Sequence, residues 1–220
     1  MDSLMKKSEK YFCLLAIVFC ACLIASNIFE IKIFEAGPLT LTGGFLVFPI
    51  SYIINDCITE VYGFRKARFV IWTAFALNLC FVLVAQLVRI LPPETFWDGQ
   101  EHFDYIFRAD MRITVASLAA FVCGSLVNAA VMSRLKATDG ERRFGWRAVV
   151  SSLAGESIDS VIFFPIAFFS VGLHNLLVMM LTQIIFKTAY ELVVLPVTRL
   201  SVRRLKAEFK DEDRQTNADE

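Results

Sequence analysis

The chain has 220 residues, of which 56% are hydrophobic and 20% charged, and its 22 basic residues balance its 22 acidic ones. Apolar residues arrive in unbroken blocks of about 20, the length that crosses a bilayer. This excludes a disordered chain, a secreted disulfide scaffold and a basic nucleic-acid-binding protein. The six cysteines form no CxxC pair and no Cys/His cluster with metal-ligand spacing. We therefore expect no metal, no cofactor and no nucleic-acid partner.

The apolar blocks predict an all-α polytopic membrane protein, because each is long enough to cross the hydrocarbon core. The first block follows three lysines but lacks a small-x-small cleavage site, so we interpret it as a retained helix and not as a signal peptide. We divide the chain into an N-terminal segment 1–10, a transmembrane domain 11–200 and a basic-then-acidic tail 201–220. Six transmembrane helices are predicted near 11–29, 42–62, 68–91, 112–134, 148–170 and 174–199.

The basic residues predict the orientation of this bundle. Seventeen Lys and Arg residues fall on one predicted side of the membrane, whereas the other side has Lys32, Arg89, Arg108 and Arg112. By the positive-inside rule, both termini are cytoplasmic. The longest outer loop, 92–111, is acidic and aromatic, which indicates either an interfacial aromatic belt or a mobile lid.

Polar residues inside the predicted helices are candidates for a site, since a charged group at mid-bilayer costs a few kcal/mol. Asp56 and Glu60 share one helix face at i, i+4 spacing, and Gln183, Lys187 and Glu191 follow each other at the same spacing. The candidates for substrate contact are Asp56, Glu60, Asn78, Asn128, Glu156, Asp159, Gln183 and Lys187.

Structural roles compete with this interpretation. Lys187 could neutralise Glu191 one turn away or Asp159 across the bundle, and Glu60 could cap a helix at the membrane edge. The helices nevertheless hold more buried carboxylates than cations. Either some carboxylates are protonated, or the interior is wet, or a cation or cationic ligand visits it. A polar and over-acidic interior in a small bundle indicates a transport pathway.

Three stretches resemble the queuosine precursor transporter family, also called the vitamin uptake transporters. They are Asn55-Asp56-Cys57-Ile58-Thr59-Glu60-Val61-Tyr62-Gly63, Arg112-Ile113-Thr114-Val115-Ala116-Ser117 and Gly155-Glu156-Ser157-Ile158-Asp159-Ser160. The resemblance covers about 11–200, and it implies a six-helix inner-membrane importer of a 7-deazaguanine for tRNA modification. The substrate would be 7-cyano-7-deazaguanine, 7-aminomethyl-7-deazaguanine or queuine. Residues that match the family's polar positions are Asp56, Thr59, Glu60, Arg112, Glu156, Asp159 and Lys187.

The chemistry of such a ligand fits the polar residues. One carboxylate accepts the N1–H and the exocyclic amine of a guanine edge together, and O6 needs a donor such as Lys187 or Gln183. We expect Glu156 or Asp159 to bind this edge, and Glu156, Asp159 and Glu191 are candidates for coupling. Aromatic walls for the flat base are predicted at Phe45, Phe48, Phe163 and Phe164.

Other functions stay open at this point. The chain has no P-loop, so transport is coupled to protons, is facilitated, or is driven by a separate partner that hydrolyses ATP. In an alternative function, the chain is the substrate-binding subunit of such an ATP-driven complex, and its substrate is another heterocyclic vitamin. For such a partner, small residues of the fourth predicted helix would form the docking face; packing within the bundle is the alternative. Asp56 and Asp159 superficially suit an intramembrane aspartyl enzyme, but no catalytic motif accompanies them. We predict a transporter that is not an enzyme and that contacts the lipid bilayer. We also expect a homodimer.

Overall fold

The structure, a computed structural model, describes residues 7–29, 31–36, 39–107, 111–139, 143–168 and 172–216. Within these residues the architecture is helical apart from one short β-hairpin, so the predicted helical class is confirmed. The helices are α1 Lys7–Phe29, α2 Phe48–Tyr62, α3 Phe64–Arg89, α4 Gln100–Phe107, α5 Met111–Asp139, α6 Phe144–Ala167 and α7 Leu173–Thr216. The hairpin strands are β1 Ile33–Ala36 and β2 Leu39–Thr42.

Five of the described helices, α1, α3, α5, α6 and α7, are long and apolar enough to cross a membrane. Large apolar side chains such as Phe69, Ile185 and Val193 are exposed on them, whereas most of the charged residues of the predicted spans are buried. This distribution is the reverse of a water-soluble protein and is typical of a bundle surrounded by lipid. The chain is a multi-pass membrane protein, and the count of six spans stays a prediction.

The second predicted span, 42–62, differs most from the structure. The α-helix begins only at Phe48, and a 3₁₀-helix, Gly43–Leu46, and the hairpin precede it. Two adjacent glycines disfavour the helix, whereas Pro49 stands in the first turn of α2, where its missing N–H costs nothing. With 15 residues, α2 is about 22 Å long, which is shorter than the hydrocarbon core.

The short helix α2 lies inside the bundle, where it packs against α1, α3, α5 and α7. Ile54 and Ile58 on α2 join Phe19, Ile71 and Phe121 in an apolar core shared by α1, α3 and α5. Because neighbouring helices enclose α2, its polar residues are shielded from lipid, and this makes a charged helix tolerable at that depth.

Helices α5 and α6 form a close pair. A Cβ atom added at Gly155 would lie 2.7 Å from the carbonyl oxygen of Gly124 and 2.8 Å from Cβ of Asn128. Small residues therefore let the two backbones approach. Among the small residues of α5 that are candidates for a partner's docking face, Ala120, Gly124 and Ala129 are buried in the bundle, whereas Ala119 and Ala130 are half-buried.

The two ends of the described chain meet at the same end of the bundle. Lys7 on α1 forms an ion pair of 3.8 Å with Glu208 on α7. Tyr62, at the end of α2, donates a 2.9 Å hydrogen bond to the backbone oxygen of Ser8. The helix α7 is longer than the predicted span 174–199, since it continues through most of the predicted tail to Thr216. Which side of the membrane this end faces stays a prediction.

The loop predicted at 92–111 contains α4, which is tied to the end of α3. Gln86 donates a 2.7 Å hydrogen bond to the backbone oxygen of Phe107, and Gln100 donates one of 3.2 Å to that of Arg89. Phe107 also packs against Phe81, with ring centroids 6.3 Å apart. These contacts fasten α4 to the bundle, and the choice between an aromatic belt and a lid stays open.

Candidate functional site

Five charged side chains from three helices come together inside the bundle, and we call them the central polar cluster. All five are at most 8% exposed. They are Asp56 on α2, Glu156 and Asp159 on α6, and Lys187 and Glu191 on α7. The hydroxyl of Tyr52, one turn before Asp56, lies within electrostatic range of all four carboxylates. Four buried acids thus face one buried base.

Lys187 is the cation of this cluster, and its partner is Asp159. Its Nζ lies 3.1 Å from Oδ2 of Asp159 and 4.3 Å from the ring centroid of Phe48. The ring of Phe48 in turn packs against Tyr52, with centroids 5.5 Å apart. The contact between ammonium and ring face adds to the ion pair, so Phe48 helps to hold Lys187 beside α6.

The other carboxylates have fewer donors. Glu156 accepts a 3.3 Å hydrogen bond from Thr188. The amide of Asn128 donates its 3.1 Å hydrogen bond to the hydroxyl of Ser152. Within the described residues, no hydrogen bond reaches Oδ1 of Asp56 or either carboxylate oxygen of Glu191. Since unmade hydrogen bonds of buried polar groups are expensive, the cluster offers acceptors to a ligand that brings donors.

A second group of charges, the Glu60 cluster, lies at the end of α2 and consists of Glu60, Lys136, Arg147 and Lys206. Oε2 of Glu60 accepts a 2.8 Å bond from Nη2 of Arg147, and Oε1 accepts one of 2.7 Å from Nζ of Lys206. Lys136 donates to the backbone oxygen of Glu60 and lies 3.8 Å from its Oε1. Glu60 therefore joins α2 to α5, α6 and α7, which is more than the membrane-edge cap considered from the sequence.

The remaining predicted residues are placed in different surroundings. Asn78 is buried between α3 and α1, where its Oδ1 accepts a 3.1 Å hydrogen bond from Asn27. Gln183 is half-buried one turn before Lys187. Phe163 and Phe164 stack edge to face at 5.4 Å near the end of α6. The side chains of Phe45 and Arg112 lie outside the described part of the structure.

Sequence reasoning did not select several residues of these clusters. Tyr52 precedes Asp56 by four residues, so the same helical spacing that singled out Glu60 could have found it. From the sequence, the basic residues Lys136, Arg147 and Lys206 indicate only the orientation of the bundle. No local sequence pattern predicts that these three cations contact the same carboxylate, that of Glu60.

Comparison with known proteins agrees with this arrangement. Residues 42–201 match the family described as "Putative vitamin uptake transporter". The chain belongs to the vitamin uptake transporter family. The matched region includes every residue of the two clusters except Lys206. The resemblance found from the sequence motifs is confirmed. Because the family is one of transporters, the prediction that the chain is not an enzyme agrees with it.

Individual relatives carry related names. The chain is 32% identical over 58% of its length to the "Probable queuosine precursor transporter" of Haemophilus influenzae, of which the match covers 52%. It is 26% identical over 79% of its length to a protein of the same name from Bacillus subtilis, with 76% of that chain covered. The "Queuosine precursor transporter" of Escherichia coli is 30% identical over 58% of this chain, with 55% of the relative covered. Thus the chain spans about half the length of two of these relatives. No solved structure matches the chain.

Proposed function

We propose that the chain imports a queuosine precursor across the inner membrane. The names of the three relatives support this substrate class, and the membership of a transporter family supports the activity. The proposed substrates are 7-deazaguanines: the cyano precursor, the aminomethyl precursor or queuine. The protein would bind the base in the central polar cluster and release it to the cytoplasm.

The excess of acceptors in the central polar cluster is the observation that carries this proposal. Four buried carboxylates lie within electrostatic range of Tyr52, and Lys187 is the cation of the same cluster. A guanine edge presents N1–H and an exocyclic amine side by side, which a carboxylate accepts as two parallel hydrogen bonds. The ligand would thus supply the donors that Asp56 and Glu191 do not find among the described residues.

Each side chain has a proposed role in recognition. Asp159 or Glu156 on α6 accepts the donors of the guanine edge, and Lys187 then turns its ammonium group toward O6 of the base. Phe48, whose ring face lies under Lys187, stacks on the flat base once Lys187 has moved. For a ligand with a cationic aminomethyl arm, the carboxylates of Asp56 and Glu191 provide the compensating charge.

Transport requires that the cluster open to each side in turn. Its residues are buried in this conformation, and the Glu60 cluster fastens α2 to α5, α6 and α7 at one end. We assign this end to the cytoplasm, since the basic residues concentrate there. Release of the substrate to the cytoplasm would then require the ion pairs of Glu60 to separate. In this topology, α2 and the hairpin before it form the sixth membrane crossing.

For energy coupling we favour protons. Both carboxylate oxygens of Glu191 and Oδ1 of Asp56 are buried and lack a hydrogen-bond partner among the described residues. Such buried carboxylates exchange protons when a pathway becomes wet. The alternative, a separate ATP-driven partner, has less support because three of the small residues of α5 that would receive it, Ala120, Gly124 and Ala129, are buried in the bundle. A homodimer stays a prediction.

Uptake in cells tests the proposal directly. The chain is expressed in bacteria that lack both queuosine synthesis and their own importer, and each 7-deazaguanine is supplied separately. Queuosine in tRNA is scored by its slower migration on a boronate gel. We expect modification with at least one of the three compounds. Absence of modification with all three, with the protein present in the membrane, would contradict the proposal.

Two variants test the site itself. Asp159→Asn and Glu156→Gln keep the size of each side chain but remove an acceptor charge, and we expect at least one to abolish uptake at nanomolar ligand. Glu101→Gln makes the same change at an exposed residue of α4, and it should transport normally. Full uptake by both α6 variants at wild-type abundance would refute the assignment of the guanine edge.

A further inference from the structure

A cavity of about 450 Å³ opens at the end of the bundle where α6 begins, and its lining is strongly basic. The lining side chains include Arg143, Arg199, Arg203 and Lys206, with Glu60 as the acid among them. Glu60 is already bonded to Arg147 and Lys206. The three lining arginines are exposed, and within the described residues none has an ion-pair partner. The cavity therefore has a surplus of positive charge.

An apolar groove lies next to the basic cavity. A second cavity of about 460 Å³ lies along α7 and is lined by Leu192, Leu195, Pro196 and Leu200. Arg199 and Arg203 line both cavities, so an apolar groove continues directly into the basic one. Free phosphate would fill the basic cavity alone and would leave the apolar groove uncovered.

Two further features suit a lipid headgroup at this site. Trp146 lines the basic cavity and is 61% exposed, as expected of a tryptophan at the level of the headgroups. A Cβ atom at Gly145 would collide with the guanidinium of Arg199. Arg199 is therefore packed onto the first turn of α6, whose N-terminus has no side-chain cap. Unbonded backbone N–H groups at a helix N-terminus favour an anion nearby.

We propose that this site binds one anionic phospholipid, with its phosphate among Arg143, Arg199 and Arg203 and an acyl chain along the apolar groove of α7. Basic pockets between transmembrane helices favour such headgroups. The bound lipid would bridge α6 and α7, the two helices that supply most of the central polar cluster. This binding site is separate from that cluster and from the proposed substrate.

Quenching of Trp146 fluorescence measures occupancy at the site itself. The other tryptophans are first replaced, as Trp72→Phe and Trp97→Phe, in the purified full chain. Phosphatidylglycerol or phosphatidylcholine with brominated acyl chains is then added in detergent. We expect half-maximal quenching by phosphatidylglycerol at an about tenfold lower mole fraction than by phosphatidylcholine. Equal quenching by the two lipids would overturn the proposal.

Variants locate the effect. Arg199→Gln with Arg203→Gln should lose the preference for phosphatidylglycerol, whereas Arg65→Gln with Arg68→Gln removes two exposed cations near the start of α3 and should keep it. Gly145→Ala retains every charge but displaces Arg199, so it should weaken the preference even if the double variant does not fold. The same loss in the α3 variant, or complete competition by inorganic phosphate, would overturn the lipid assignment.

Discussion

Glu60 and Arg147 form a fully enclosed ion pair: Oε2 of Glu60 lies 2.8 Å from Nη2 of Arg147, and the two side chains are 1% and 0% exposed. They are separated by 87 residues in the sequence. The pair connects the end of α2 to the start of α6, with Lys206 on the second oxygen of the carboxylate. We interpret this contact as a fastening of the bundle and not as a site for substrate.

We expect Glu60→Gln to destabilise the protein, because it removes the negative charge that Arg147 and Lys206 contact at 2.8 Å and 2.7 Å. Removal of one partner of a buried ion pair typically costs about 3–5 kcal/mol. Unfolding of the purified protein by a denaturing detergent, followed by circular dichroism, measures this loss. Glu101→Gln, at an exposed position, should leave stability unchanged. Unaltered stability together with weaker ligand binding would instead make Glu60 a substrate residue.

How far the sequence predicts these contacts depends on their separation along the chain. Helical spacing correctly grouped Asp56 with Glu60 on one face, since that relationship is local. The structure nevertheless places them in different clusters, because one turn of helix is about 5.4 Å. The partner of Lys187 stayed open between Asp159 and Glu191, and only the packing of α6 against α7 selects Asp159.

The late start of α2 has a different cause. Hydropathy alone predicts that the helix already begins at Thr42, because apolar residues continue from there to Phe48. Two glycines and Pro49 favour instead a hairpin and a 3₁₀-helix before the first α-helical turn. Local backbone preferences thus overrode the apolar block, and this shortened a predicted span to a 15-residue helix.

The pair of Lys187 and Asp159 should show energetic coupling. Lys187→Met and Asp159→Asn each leave one member alone in the buried cluster, so each should lower the unfolding free energy. The double variant should lose less unfolding free energy than the sum of the two single losses, and the difference should be about 1–3 kcal/mol. Lys187→Met and the double variant should lose uptake, because both lack the proposed donor to O6 of the base.

A control cycle uses an exposed cation that does not belong to the cluster. Lys32 is exposed after α1, and Lys32→Met combined with Asp159→Asn should give additive effects on the unfolding free energy. Additive losses for Lys187 and Asp159 as well would show that their 3.1 Å contact contributes no coupling. Uptake by the double variant would remove both residues from the proposed site.

Close approach of α5 and α6 predicts that Gly155 tolerates no side chain. The added Cβ would meet the backbone oxygen of Gly124 at 2.7 Å, and a backbone cannot rotate away as a flexible side chain can. We expect Gly155→Ala to cost about 1–3 kcal/mol of stability, as overpacked sites do. Gly172→Ala is the matched control, since its Cβ would meet no atom within 4 Å. Equal stability of the two variants in detergent unfolding would contradict the close packing.

Two buried asparagines provide a test that separates structure from recognition. Asn78 accepts a hydrogen bond from Asn27 between α3 and α1, whereas Asn128 bonds Ser152 beside Asp56 in the central polar cluster. Hydrogen bonds between membrane helices contribute about 0.6 kcal/mol on average, so Asn78→Ala should slightly lower stability and leave uptake intact. Asn128→Ala should lower stability by a similar amount and also weaken uptake severely. The readouts are detergent unfolding and queuosine in tRNA, each at matched abundance in the membrane. If Asn78→Ala impaired uptake as much as Asn128→Ala, the substrate path would have to extend to α1 and α3, away from the central polar cluster.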